Sequence, residues 1–117
     1  MDPPPQRDAK TLRAAALAYA RGCFARETAP HVNELAELLG VASYQLSRDF
    51  SALVGEPPST FLRRLQVVRA KRLLRFTDLP LNRVGYASGF GTRASFFRVF
   101  KQLTEATPRE FRMSCIK

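Results

Sequence analysis

Residues 81–100, with the sequence LNRVGYASGFGTRASFFRVF, decide the fold of this chain. A short helix-like segment ends at Gly89, and glycine commonly ends helices because it adopts the left-handed conformation without a steric penalty. Thr92 is a suitable helix cap, and the apolar residues after it recur at helical intervals. A short helix, a glycine-containing turn and a longer helix together make the sequence pattern of a helix-turn-helix.

A second copy of this pattern lies earlier in the chain, in VNELAELLGVASYQLSRDFSALV at residues 32–54. Ala36 and Gly85 take the same place in the first helix of each copy, where a small residue lets the second helix cross closely. The turn of the second copy carries one extra residue. A generic helical repeat is the alternative, but two copies are fewer than a solenoid needs. The copies align Gly40 with Gly89, Leu46 with Phe96, Arg48 with Arg98, Phe50 with Phe100 and Leu53 with Leu103.

The remaining segments are helical too, since no stretch alternates with a period of two residues. We predict an all-α fold of about seven helices, in which two homeodomain-like helix-turn-helix lobes are joined by a long linker helix. Ser43 is expected to cap the second helix of the first copy, and Leu65, Val68 and Leu73 to pack the linker against both lobes. The predicted organisation is a flexible Pro-rich lead-in at 1–8, a first lobe at 9–57, the linker helix at 58–76 and a second lobe at 77–117.

The charge of the chain indicates a polyanionic partner. Nineteen Lys and Arg residues against ten Asp and Glu residues give a formal net charge of +9. Such a balance favours nucleic acid first and an anionic membrane surface second, although excess cations can also serve only solubility. A membrane protein is not expected, because no apolar run approaches the roughly 18 residues of a membrane span, and we predict no membrane partner.

The sequence contains no recognisable catalytic or metal-binding motif. Cys23 and Cys115 lie far apart without metal-ligand spacing, and His31 has no acid or nucleophile at motif spacing. We therefore predict no enzyme activity, no metal and no cofactor. Two thiols without a signal peptide indicate a reduced, cytoplasmic compartment.

The chain also resembles a known family. LPLNRVGYASGFGTRASFFRVFKQLTEATPREFR at 79–112 closely resembles the second helix-turn-helix of AraC/XylS-type bacterial transcription regulators. Residues 32–74 are similar to the first motif and linker helix of that family, so the resemblance covers about residues 10–113. It implies two helix-turn-helix units, each placing a recognition helix in the major groove of promoter or operator DNA. It also implies a cytoplasmic, nucleoid-associated protein for which RNA polymerase is a further partner.

Four positions depart from the family pattern. His31 and Pro80 stand where a capping Ser or Thr usually precedes the first helix of each copy, which weakens each cap by about 1 kcal/mol at most. Glu105 replaces the glycine that normally follows the second recognition helix. Asp49 places an acid beside Arg48, where it could hold the guanidinium in one rotamer or accept a hydrogen bond from a cytosine amino group. None of these changes breaks the predicted fold.

The second helix of each copy supplies the candidate DNA-reading residues, because the N-terminal part of a recognition helix reaches base edges. Arginines there can form bidentate pairs with guanine O6 and N7, although phosphate contact is the alternative. Phe97 is expected to be an exposed aromatic that contacts a thymine methyl or a sugar, or that packs on the helix surface. The predicted base-reading residues are Ser43, Tyr44, Ser47 and Arg48 in the first copy and Arg93, Ala94, Phe97 and Arg98 in the second. Predicted phosphate contacts are Gln45, Thr92, Ser95 and Lys101, and the residues predicted to be buried are Leu46, Phe50, Leu53, Phe96, Phe100 and Leu103.

Double-stranded DNA is thus the predicted partner, and a basic helical module that binds an acidic protein is the alternative. A rigid linker would hold the recognition helices about one DNA turn, roughly 34 Å, apart. One chain could then read two successive major-groove segments as a monomer. Family members usually carry a separate effector-binding or dimerisation domain, and nothing here resembles one. The chain is either a small member or a fragment that begins in a Pro-rich linker, and MDPPPQR favours the linker.

Overall fold

The computed structural model describes residues 8–116, which form seven α-helices and, within that range, no strand. The prediction of an all-α fold with about seven helices is therefore confirmed. The predicted lead-in lies outside the described residues except for Asp8, whose carboxylate accepts the Thr11 N–H at 2.7 Å and caps the first helix. The helices are α1 Ala9–Arg26, α2 Val32–Leu39, α3 Ser43–Val54, α4 Pro58–Phe76, α5 Leu81–Ala87, α6 Arg93–Thr104 and α7 Pro108–Ser114.

The helices bury two separate hydrophobic cores. The first core lies among α1, α2, α3 and the start of α4, where the rings of Phe50 and Phe61 meet edge to face with centroids 5.3 Å apart. The second core lies among the rest of α4, helix α5 with the turn after it, and α6. Its buried residues are Val67, Ala70, Leu74, Val84, Phe90, Phe96, Val99 and Phe100. We call the parts built around these cores the first lobe and the second lobe.

Helix α4 belongs to both lobes. Phe61 and Leu62 in its first turns enter the first core, whereas Val67, Ala70 and Leu74 enter the second. Gln66 lies between these two sets and is buried, and its Nε2 donates a hydrogen bond to the carbonyl oxygen of Gly89 at 2.9 Å. This arrangement makes α4 the shared support of the two helix-turn-helix units.

Three residues predicted to be buried are exposed, and those predictions were wrong. Val68 is 53% exposed because it lies nearly opposite Gln66 and Ala70 on a helix that advances 100° per residue. Leu53 and Leu103 are 46% and 43% exposed. Each lies in the last turn of its helix, just before the chain turns away into the loop that leads to the next helix. Leu65 and Leu73 do pack on the first and second core, respectively, as predicted.

The two lobes also touch away from α4. Glu27, at the end of α1, accepts two hydrogen bonds from the guanidinium of Arg83 on α5, at 3.1 and 2.7 Å. Gly89, with φ +81°, packs so closely that an added Cβ would lie 3.1 Å from the carbonyl oxygen of Thr28. The loop after α1 therefore packs directly against the turn of the second helix-turn-helix. These contacts fix the position of one lobe relative to the other.

Candidate nucleic-acid interface

The two helix-turn-helix units are closed by the same backbone hydrogen bonds. In the first, Gly40 has φ +72° and the Val41 N–H bonds the Ala36 carbonyl at 3.0 Å. In the second, Gly89 takes the same conformation and the Phe90 N–H bonds the Gly85 carbonyl at 2.9 Å. Such six-residue closures around a left-handed glycine are typical helix ends. The predicted repeat is thus present in the backbone.

The second turn is one residue longer than the first. Two residues separate Gly40 from the start of α3, whereas three residues separate Gly89 from the start of α6. The additional residue gives α6 a conventional cap, because the Thr92 hydroxyl accepts the Ser95 N–H at 3.0 Å. This confirms the prediction that Thr92 caps α6.

The prediction that Ser43 caps α3 was wrong by one residue. Ala42 takes the N-cap position and Ser43 is the first helical residue, with its hydroxyl donating to Asn33 Oδ1 of α2 at 2.7 Å. Ser43 therefore links the two helices of its unit. His31 and Pro80 precede α2 and α5 without a side-chain capping bond among the described residues, as their side chains dictate.

A small residue at the crossing point of each unit sets the distance between its helices. Gly85 lies on α5 so close to α6 that an added Cβ would lie 2.9 Å from Cδ2 of Phe96. Phe96 itself is fully buried and stacks near Phe90, with ring centroids 5.1 Å apart. Ala36 occupies the equivalent place and is buried as well. The tight crossing fixes the angle at which α6 presents its outer face.

The outer face of α3 carries the residues predicted to read bases in the first lobe. Tyr44 is 75% exposed, and the Arg48 side chain is largely exposed with its Nε 3.7 Å from Oδ1 of Asp49. This long, exposed ion pair is weak and leaves the guanidinium available. Ser43 and Ser47, also predicted to read bases, are half-buried and therefore less exposed than Tyr44 and Arg48.

The outer face of α6 carries Arg93, Ala94 and Arg98, all exposed, together with the exposed Lys101. Phe97 differs from its prediction as an exposed aromatic, because it is half-buried against the second core. A ring of this size covers part of the core even from a position beside the apolar stripe. The guanidinium carbon of Arg93 lies 4.5 Å from the centre of the Phe97 ring.

Positive charge is distributed unevenly around these helices. Arg63 of α4 and Arg98 of α6 line one cleft between the lobes, together with His31. Arg64 of α4 is paired with Glu56. The hydrogen bond between them holds the Arg64 side chain in place and raises the pKa of its guanidinium. The cations that remain open to a partner thus include those between the two lobes.

Several polar residues that the sequence reading overlooked hold the units in place. Arg69 of α4 is half-buried and donates a hydrogen bond to the Ala87 carbonyl at 2.8 Å. Arg112 donates from three nitrogens to the carbonyls of Leu74, Thr77 and Leu79, at 3.2, 3.2 and 2.6 Å. It thereby ties α7 to the end of α4 and to the segment that leads into α5.

Tyr19 is a buried residue of α1 whose hydroxyl has two hydrogen-bond partners. Burial and a hydrogen bond from its hydroxyl to the Glu34 carboxylate raise the pKa of Tyr19 above its usual value. The same oxygen accepts the His31 N–H at 2.8 Å. Tyr19 thus anchors the start of α2 to α1.

Within residues 8–116, no group of three or more His, Cys, Asp or Glu side chains is placed to hold a metal ion. Among the described helices, none is both long and apolar enough to cross a membrane.

Two helix-turn-helix units on one shared helix define a class, the helical DNA-binding domains with paired motifs. A family model described as a helix-turn-helix domain matches residues 35–114. The chain belongs to the AraC-type helix-turn-helix family, which confirms the resemblance seen in its sequence.

Individual relatives agree with this family. An uncharacterized HTH-type transcriptional regulator from Staphylococcus aureus is 33% identical over 81 residues, which are 69% of this chain and 11% of that protein. A transcriptional regulator from Chromobacterium violaceum, with an AraC-type DNA-binding domain, is 26% identical, with a TM-score of 0.77 and coverage of 92% of this chain and 95% of that one. The DNA-binding domain of AdpA, solved in complex with a target DNA, has a TM-score of 0.77 at 23% identity, over 92% and 93% of the two chains. The chain spans about a tenth of the length of the Staphylococcus relative.

Proposed function

We propose that this chain binds double-stranded DNA in a sequence-specific manner and so serves bacterial transcription regulation. The observation that carries the proposal is the duplicated unit, in which α3 and α6 follow turns of the same geometry and share α4 as their support. In such units the second helix enters the major groove. The molecule is 59 Å along its longest axis, which is long enough to reach two groove segments roughly 34 Å apart.

The exposed side chains support a division into base-reading and phosphate-binding residues. Arg48, Arg93 and Arg98 have the reach and donor geometry for guanine, and Tyr44 and Ala94 present surfaces for thymine methyl groups. Thr92 suits a phosphate because its oxygen accepts the capping bond while its hydroxyl proton stays free to donate. Gln45, Ser95 and Lys101 complete the proposed phosphate contacts.

The protein-binding alternative is the weaker candidate, because the family is one of DNA-binding transcription regulator domains. We propose that this chain acts without catalysis, in the cytoplasm and in association with the nucleoid, and that it binds DNA as a monomer. A contact with RNA polymerase and control by an effector-binding or dimerisation domain are expectations taken from the resemblance.

Selection of sites from random duplex DNA tests the proposal. Wild-type protein is expected to enrich a defined site, with affinity that falls steeply as salt rises. Arg93→Ala and Arg98→Ala should each relax the preference at separate base pairs, at about 1–3 kcal/mol for each bidentate contact. Arg13→Ala, which removes the same charge from the exposed surface of α1, should leave the preference unchanged.

Two results would go against the proposal at different levels. If wild-type protein bound no duplex at low salt, the proposed function would be wrong. If both recognition-helix variants kept the wild-type site preference, the function could stand but the assignment of base-reading residues would fall.

A further inference from the structure

Arg93 has one close partner, the aromatic ring one helical turn further along α6. Its guanidinium carbon lies 4.5 Å from the Phe97 ring centre, whereas the four other cation–ring pairs in residues 8–116 are separated by 5.5 to 5.8 Å. Within the same residues the guanidinium of Arg93 has no hydrogen bond or ion pair. Residues four apart on a helix are neighbours on its surface, so the contact belongs to the helix itself.

The core holds the ring of Phe97. Phe97 is half-buried and meets the fully buried Phe96 edge to face, with ring centroids 5.6 Å apart and an interplanar angle of 82°. It packs among the residues bordering the second core. The ring is therefore held in place in the second turn of α6, and the guanidinium of Arg93 lies over it.

Stacking of this kind leaves a guanidinium able to bind a base. A guanidinium that lies over a ring with its flat face keeps its N–H groups pointing outward in the plane. Those N–H groups are the ones that pair with guanine O6 and N7. A side chain already held by the ring also loses less conformational freedom on binding than one that moves freely.

We propose that Phe97 is a positioning residue, which holds Arg93 in the orientation that reads a guanine and does not itself contact a base. The proposal rests on the proposed function, because it concerns the same recognition helix. It replaces the expectation that Phe97 touches a thymine methyl. Arg98, on the same helix, has no such ring partner among the described residues and serves as an internal comparison.

A double-mutant cycle on the selected duplex tests the proposal. Dissociation constants are measured by fluorescence anisotropy for wild type, Phe97→Leu, Arg93→Ala and the double variant. Phe97→Leu keeps an apolar side chain and is expected to weaken binding roughly two- to fivefold, the size of an exposed cation–ring contact. In the Arg93→Ala background the same change should have no further effect. Phe97→Tyr keeps the ring and should bind like wild type.

The matched cycle pairs Phe97→Leu with Arg98→Ala, and there the two effects are expected to multiply. A merely structural role for Phe97 would weaken all of these backgrounds alike, and would weaken unselected duplexes as much as the selected one. Equal losses from Phe97→Leu with and without Arg93 would overturn the proposal, because they would mean direct DNA contact or general damage. If Phe97→Leu caused such equal losses while wild type still bound the selected duplex specifically, only the role of Phe97 would be wrong and the proposed function would stand.

A measurement on free protein keeps the proposal testable even if Phe97→Leu folds poorly. The ring should shift the Cδ proton resonances of Arg93 upfield in the NMR spectrum relative to those of Arg98. Phe97→Tyr should retain that shift and Phe97→Met should remove it. Identical Arg93 shifts in wild type and Phe97→Met would contradict the stacking on which the proposal depends.

Discussion

Replacement of Gly85 by alanine tests how closely α5 and α6 cross. An alanine Cβ would lie 2.9 Å from Cδ2 and 3.2 Å from Cγ of Phe96, so the ring must retreat by about 0.5 Å to reach ordinary contact. Phe96 has little room to do so, since it is fully buried between Phe90 and Phe100. The change therefore forces strain on the second core.

Two opposing terms set the expected magnitude for Gly85→Ala. Overpacking of a tight core typically costs about 1–3 kcal/mol. Alanine in place of glycine inside a helix returns about 0.5–1 kcal/mol. We therefore expect a net loss of about 0–2.5 kcal/mol in the free energy of unfolding. A tilt of α6 should accompany it and weaken binding to the selected duplex.

Gly22→Ala in α1 is the matched control. There the added Cβ would meet only the end of the flexible Arg26 side chain, at 3.6 Å. The helix-propensity gain should therefore appear without the clash, as a stabilisation of about 0.5–1 kcal/mol. Urea unfolding followed by circular dichroism gives both values. If Gly85→Ala stabilised the protein as Gly22→Ala does, the close crossing would be refuted.

Three further predictions concern the backbone, a half-buried arginine and a buried tyrosine. Glu105 has φ +63°, so Glu105→Gly should stabilise the protein by about 0.5–1 kcal/mol, whereas Glu105→Ala keeps the Cβ and should not. Arg112→Lys should destabilise by about 2 kcal/mol in urea unfolding, because one ammonium cannot replace a fork bound to three carbonyls; the exposed Arg109→Lys should be neutral. Because the pKa of Tyr19 is raised on folding, its stabilisation is complete below the unfolded value of about 10 and declines as pH rises above it. The free energy of unfolding, measured between pH 9 and about 11, should decline in wild type and in the exposed variant Tyr44→Phe. The decline should be smaller in Tyr19→Phe. Equal slopes of the free energy against pH in all three proteins would contradict the role given to the buried Tyr19 hydroxyl.

The repeat made much of the fold predictable from sequence. Matching two copies identified Phe96 and Phe100 as core, and the structure buries both completely. It also located the left-handed glycines Gly40 and Gly89, because a helix end needs a residue free of steric penalty at a fixed distance from the last apolar position. The small residue at Gly85 followed from the same comparison.

Burial at helix ends and polar interior contacts could not be predicted in the same way. Helical periodicity shows which residues share a face of a helix. The burial of Leu53 and Leu103 depends in addition on whether another helix covers the last turn, and periodicity does not reveal this. Arg69 bonds a carbonyl 18 residues away and Arg112 one 38 residues away, and only the packed fold brings them together. In the sequence both look like ordinary surface cations.

The candidate DNA-binding surface was predicted in outline. Arg93, Ala94 and Arg98 lie exposed on one helix, as the alignment of the two copies required. Phe97 was placed on the same face, but its size lets it reach the core and its ring lies under Arg93. Helical position alone does not reveal such a contact, because it depends on side-chain rotamers.

The central claim is that one chain reads two major-groove segments at a fixed separation. The most direct measurement compares affinity for the selected duplex with affinity for duplexes that carry about 5 extra base pairs between the two half-sites, which is half a helical turn. A rigid pair of recognition helices predicts that the insertion lowers affinity about 100-fold, to the level of a single half-site, because the base contacts of one lobe are lost. Affinity that does not change with the insertion would contradict the claim.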